Sequence, residues 1–342
     1  MTSYFIRRFL LIIPTFFGIT VITFLILQVV PGGPLEMEIM KIRMGGSKQG
    51  ESGSVSGSSQ NIPQAALDEL KKFYGFDKPI HERYILWLTN LAKLDLGRSY
   101  VYGEPVLDVI VSRFPVSIYF GLVGFILTYI VCVPLGVYKA VKNGSTFDFA
   151  TSSLVFIGYA VPAFAFGAVM LVLFGGGSFW DVFPLGGFRS DGWEDLSLAG
   201  KIWDQVYHTF LPVAAYMIGS FATLTILTKN TVIDNLSQDY IRTAFSKGIS
   251  ENKVIFGHAL RNSLIPISTG LGNAISLVLA GSLLIERVFN INGMGLLGYT
   301  SIVQRDYPVV MGILVITTLL LLIGNILSDM IYAFVDPRIR FS

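Results

Sequence analysis

The sequence predicts an all-α polytopic membrane protein. Three observations carry that class: 52% of the 342 residues are hydrophobic and only 14% are charged, the mean hydropathy is +0.62, and the apolar residues gather into six long runs. A helix needs about 20 apolar residues to cross roughly 30 Å of hydrocarbon. The runs are 9–30, 115–138, 151–175, 209–228, 263–284 and 309–334. They are continuous instead of alternating, which excludes barrel strands, and a helix satisfies its own backbone polar groups where no water can.

Taken in order, the start "YFIRRFLLIIPTFFGITVITFLILQVV" has the basic opening of a signal peptide, but its apolar part is too long and no small-residue cleavage site follows. It is read as a retained first span, residues 1–30. Residues 31–113 form an external subdomain. Within it "GGSKQGESGSVSGSSQ", 45–60, is rich in Gly and Ser and is expected to be mobile, because it has too little apolar surface to offset its ordering entropy. The following "IPQAALDELKKFYGFDKPIHERYILWLTNLAKLDLG" reads as two amphipathic helices, the first starting near Pro63, broken between Gly75 and Pro79. Residues 114–342 carry the second to sixth spans. No internal repeat of the kind found in many secondary transporters is visible.

Orientation follows from the basic residues of the short connecting segments. Arg7, Arg8, Lys139, Lys142, Lys229, Arg242, Lys247, Lys253, Arg261, Arg338 and Arg340 all fall on one side of six spans. The opposite short segments carry Arg189, Lys201, Arg287 and Arg305, with an acidic stretch at 176–207. Both termini are expected in the cytoplasm, in a multi-pass protein of the cytoplasmic membrane surrounded by lipid.

Several function classes fall away. The net charge of +2 is spread along the chain without a basic patch, so nucleic acid is not an expected partner. The lone Cys132 can build neither an intramolecular disulfide nor a thiolate metal site, and His81, His208 and His258 lack any metal-ligand spacing. "GMGLLG", 293–298, matches a dinucleotide fingerprint in letters, but a membrane span follows where a βαβ unit is required; its glycines are better read as a sharp external turn. No Gly-Lys-Ser or Gly-Lys-Thr exists to hold ATP phosphates, so the chain is not expected to be an enzyme or to bind a cofactor itself. Ion-coupled secondary transport is the alternative from another class. It calls for ionisable groups deep in the bilayer, whereas Asp329 and Glu286 lie near span ends, and Asn273 and Asn325 suit interhelical hydrogen bonds.

One charged stretch interrupts the grease. "YIRTAFSKGISENKVIFGHALRNSLIP", 240–266, lies in the cytoplasmic segment 229–262, longer than a connector needs. Asp239 to Lys247 has helical character, Gly248 breaks it, and Ser250 is a natural cap for a second helix from Glu251. Two short helices at an elbow result. On the residues alone, a topology-setting loop and a docking element are equally good readings.

These residues resemble the integral-membrane permease subunits of peptide ABC importers. "RTAFSKG", 242–248, is similar to the family's EAA loop, with Arg242 and Thr243 in place of the glutamate and first alanine of the general pattern. The resemblance extends to "RRFLLIIPTFFGITVITFLILQVVPGGP", "YGFDKPIHERYILWLTNLAKLDLGRS", "ERVFNINGMGLLGYTSIVQRDYPVVMG" and "VDPRIR". "PGGP", the Gly/Ser insertion and "GGGSFWDVFPLGG" are most like the Yej-type branch. The resemblance implies a type I permease fold and half of a translocation path. Its implied partners are a homologous second permease subunit, two ATPase domains that bind ATP and magnesium, and an external peptide-binding protein. Peptide is the implied cargo, with nickel or another peptide-like cargo as the variant reading. It further implies that Tyr240, Arg242, Thr243, Ala244 and Lys247 dock on an ATPase, with Gly248 at the turn. Glu286, Arg287, Phe289, Gly293 and Gly295 resemble the segment lining the external gate.

Overall fold

A computed structural model describes residues 2–45, 64–73, 75–177, 179–267 and 281–335. Among these the chain is helical; the only β features are two isolated bridges, Arg98 with Pro105 and Gly175 with Phe183. The helices are α1 (Thr2–Val29), α2 (Pro34–Gly45), α3 (Gln64–Phe73), α4 (Ile80–Ala92), α5 (Val106–Val141), α6 (Thr146–Ala160), α7 (Ala163–Phe174), α8 (Leu198–Leu236), α9 (Asp239–Ser246), α10 (Glu251–Val254), α11 (Leu283–Val288), α12 (Met294–Val303) and α13 (Tyr307–Val335). Four are long and apolar enough to cross a membrane, or five when α6 and α7 count as one broken span.

The four are α1, α5, α8 and α13, at the expected first, second, fourth and sixth runs. The third run departs from expectation. Instead of one helix over 151–175, α6 and α7 meet at 99°. Proline explains the break: Pro162 lacks an N–H, and it pushes Val161 into an extended conformation at φ −92°, ψ 122°. The expected fifth span, 263–284, is helical to residue 267, and 268–280 lie outside the described residues. So does the Gly/Ser stretch, apart from Gly45 at the end of α2.

The described residues divide into two compact units. One comprises Met1–Phe9, Arg113–Leu296 and Leu319–Ser342. In it α8 packs along α6 and α7, and α11 packs on α7 and α8. The core there is Phe120, Leu211, Val213, Ala215, Ile285, Phe289 and Ile291, with the Phe120 and Tyr216 rings stacked 5.8 Å apart. α8 runs 39 residues, well beyond a membrane's thickness. Its last two turns therefore occupy what the sequence suggested was the start of a loop at 229.

The second unit comprises Leu10–Ser112 and Leu297–Thr318. α3 and α4 are the two amphipathic helices expected around Gly75–Pro79; α2 was not expected. Phe24, Leu27, Tyr307 and Met311 form its core, packed by Phe76, Tyr84, Trp87 and Tyr100. Tyr84 of α4 bonds the buried Thr20 of α1 through its hydroxyl at 3.0 Å. Asp306, fully buried, accepts from the Ser99 hydroxyl, from Tyr100 N–H at 3.1 Å and from Val101 N–H at 3.2 Å. With no ion pair to it among the described residues, the carboxylate is satisfied by a turn that wraps it.

Candidate functional site

The elbow exists as expected. α9 ends at Ser246, Gly248 takes φ +75°, in the left-handed region that favours glycine, and α10 starts at Glu251. Two bonds close the turn: Gly248 N–H to Phe245 C=O at 2.9 Å and Ile249 N–H to Ala244 C=O at 3.3 Å. Ser250 has the extended backbone of a cap, but its side chain makes no cap hydrogen bond. α10 runs on through a π-helical turn at Ile255–Ala259.

The two limbs are held by a small apolar core of Ile241, Ala244, Val254 and Ala259. This corrects one expectation. Ala244 is buried beneath the elbow and cannot lie on a docking surface, because the spacing from Ile241 puts both on the inner face of α9. Arg242, Thr243 and Lys247 are exposed, as are Tyr240 and Phe245 at 40% and 46%. Phe245 was missed because the helical period, which puts i+3 and i+4 on the face of Ile241, predicts it inward, whereas at the end of the short α9 its ring is exposed. Arg242 approaches Asp239 at 3.7 Å with both groups largely in solvent, an arrangement of little energetic value. Tyr240 donates to Asn235 Oδ1 at 2.8 Å, and the Asn235 amide donates to Ser263 Oγ at 3.1 Å, so the elbow is bonded to α8 and to the helix that follows it.

Beside the elbow lies a charge cluster that the sequence reading did not single out. Asp148 on α6 receives Lys229 Nζ of α8 at 2.7 and 2.9 Å. Lys139 Nζ of α5 lies 3.3 Å from the same carboxylate, with both side chains buried. Lys139 also donates to Thr151 and Ser152 hydroxyls at 2.8 Å each and to Asp148 C=O at 3.1 Å, so the desolvated ammonium is fully bonded. A signal was available: Ser145 and Asp148 have the spacing of a capping box, and the Ser145 hydroxyl does accept from Asp148 N–H. Val137, Ala140, Val232 and Ile255 pack together next to this cluster, bringing α5, α8 and the π-helical turn of the elbow into one core.

The expected gate segment folds around a carboxylate. Glu286, 1% exposed, accepts from Ser282 N–H at 3.1 Å, Gly295 N–H at 3.3 Å and Leu296 N–H at 2.7 Å. Glycine permits this wrapping: a Cβ on Gly293 would sit 2.7 Å from the Glu286 carboxyl, and one on Gly295 would sit 2.5 Å from Leu283 N. Phe289 is buried in the core and its C=O accepts from Gly187 N–H at 2.9 Å. Glu286, Phe289 and Gly293 are therefore interior supports, and Arg287 is the exposed member of the set. "GMGLLG" opens α12 with no strand before it, contrary to a nucleotide fold. A cavity of about 590 Å³ adjoins this segment, lined by Phe120, Gly124, Thr128, Tyr216, Ser220 and Ser282 among others, with no formally charged residue in its described wall.

The exposed elbow is thus carried on a buried frame of packed helices. Residues 132–341 match the family of binding-protein-dependent transport system inner membrane components. The chain belongs to this family. Among its relatives, a peptidoglycan transport system permease protein, YejB of Agrobacterium fabrum, is 43% identical over 100% of this chain and 99% of the relative. The inner membrane ABC transporter permease protein YejB of Escherichia coli is also 43% identical, with the same coverage. The oligopeptide transport system permease protein AppB of Bacillus subtilis is 36% identical over the whole of both chains. The chain is thus a multi-pass inner membrane permease subunit of an ABC importer, of the all-helical type I fold, and the elbow, the charge cluster and the Glu286 turn all fall within the residues that the family match covers.

Proposed function

We propose that this permease forms half of a translocation path for peptides and is driven through the elbow at 239–262. The observation that carries the reading is the two-sided build of α9: Ile241 and Ala244 are buried while Tyr240, Arg242, Thr243, Phe245 and Lys247 face outward. An exposed aromatic and cationic face on a rigidly cored element suits a groove on a partner. The partners are a homologous second permease subunit, two ATPase domains binding ATP and magnesium, and an external peptide-binding protein. Residues 1–30, 31–113 and 114–342 act as first span, external subdomain and permease core, with six spans and both termini in the cytoplasm. ATP-driven closure of the ATPases moves the elbow as a rigid piece and the attached helices with it.

The names of the relatives support peptide cargo, one of them naming peptidoglycan. The 590 Å³ cavity supports it too: glycines and hydroxyls without formal charge suit cargo of either sign. The test is affinity purification of the chain with mass spectrometry, followed by uptake of labelled oligopeptides and peptidoglycan-derived peptides by the reconstituted complex. Co-purifying ATPase subunits and ATP-dependent uptake are expected. Uptake by this chain alone on an ion gradient would overturn the reading.

A further inference from the structure

We propose that the second unit holds the headgroup of an anionic phospholipid in a cavity of about 590 Å³ of its own. The cavity lies at the end of two apolar helices: Phe24 and Leu27 from the last turns of α1 and Met311 from the first turns of α13 form part of its wall. The continuous apolar run carried by α1 stops at Val30, shortly after Leu27, which puts the cavity where hydrocarbon is expected to give way to headgroups. The rest of the wall is of a different kind. Lys72, Lys78, Arg83 and Arg98 line it against only Asp77 and Asp95, and Asp95 is already engaged by Gly97 N–H at 2.8 Å.

Among the described residues none of the four basic groups is in an ion pair. Arg83 stacks its guanidinium over the Phe76 ring at 4.2 Å, which occupies the face of the group and leaves its in-plane N–H donors for an oxygen acceptor. Tyr307, 8% exposed, contributes to the same wall and has a buried hydroxyl without a hydrogen-bond partner among the described residues. A phosphodiester would meet the cations while its glycerol-linked chains continue along Phe24, Leu27 and Trp87. A free phosphate would meet the cations alone and leave the apolar half of the cavity facing water.

The inference is independent of the cargo, since lipid retention is read on the complex whatever it carries. The test uses the whole transporter complex in nanodiscs containing phosphatidylglycerol and phosphatidylcholine, with retained lipid measured by native mass spectrometry. Phosphatidylglycerol is expected to be retained in preference. Each basic side chain near an anionic lipid contributes on the order of fivefold, so the Lys78→Gln/Arg98→Gln double variant is expected to lower the preference roughly thirtyfold. Both residues are exposed, so the fold tolerates the change; Lys142→Gln, outside this unit, is expected to leave the preference intact. Equal retention of the two lipids, a preference unmoved by the double variant, or displacement of the lipid by inorganic phosphate alone would each overturn the proposal.

Discussion

Lys229 holds both carboxylate oxygens of Asp148, at 2.7 and 2.9 Å, across 81 residues of sequence. The contact joins the start of α6 to α8 just before α8 enters the elbow, and Lys139 brings the end of α5 to the same carboxylate. Three helices thus share one buried charge cluster next to the element proposed to receive the ATPase stroke.

Asp148→Asn leaves two ammonium groups without a counter-charge, Lys139 buried among them, and is expected to cost about 3–5 kcal/mol, read as a lowered thermal midpoint of the solubilised complex. Lys229→Met leaves Asp148 paired with Lys139 and is expected to lower the midpoint by less. Lys229→Arg is expected to retain most of the stability, because a guanidinium can bond the carboxylate bidentately. An unchanged midpoint in Lys229→Met would show that the pair holds nothing together.

At the Glu286 turn, space is the constraint. Gly293→Ala puts a methyl group into the carboxyl, and Gly295→Ala meets backbone that has nowhere to go; both are expected to reduce folded yield severely. Arg287→Gln, on the exposed side, is expected to be neutral for folding. Size-exclusion profiles of the purified variants decide between these outcomes.

Phe245→Ala removes an exposed ring that no core contact needs. It is expected to leave the chain's folding intact and to weaken its association with the ATPase subunits tenfold or more, about 1.4 kcal/mol or greater, measured by binding of the permease complex to purified ATPase. Ala244→Asp is expected to do the reverse: it buries a charge in the elbow core and unfolds the element itself.

In the second unit, Asp306→Ala removes the acceptor of the buried Ser99 hydroxyl and one acceptor each of Tyr100 and Val101 N–H, the latter keeping its bond to Ser99 Oγ at 3.2 Å. A buried donor left without a partner costs about 1–3 kcal/mol. Faster proteolysis around residues 95–105 is expected, and an unaltered cleavage pattern would count against the role given to Asp306.

What the sequence disclosed was mostly local. Continuous apolar runs announced α1, α5, α8 and α13, and Gly248 announced the elbow, because each signal sits within one element. The bend between α6 and α7 was hidden by unbroken apolarity, although Pro162 marked it. Asp148 escaped because its partners lie 9 and 81 residues away, and Asp306 because the turn it organises lies some 200 residues earlier. Glu286 was selected, but burial by its own glycine-rich turn makes it a support and not a lining residue. Ala244 was placed on the wrong face of α9 by reading the motif without its period.

The most direct test of coupling through the elbow is the number of peptides imported per ATP hydrolysed by the reconstituted complex with Gly248→Val. No atom lies within 4 Å of a Cβ at this position, yet φ is +75°, so a β-branched residue strains the turn without clashing. Uptake is expected to fall to background while ATP hydrolysis continues, with Gly248→Asn, which tolerates the left-handed region, retaining much of the ratio. Wild-type uptake and an unchanged ratio in Gly248→Val would contradict the account.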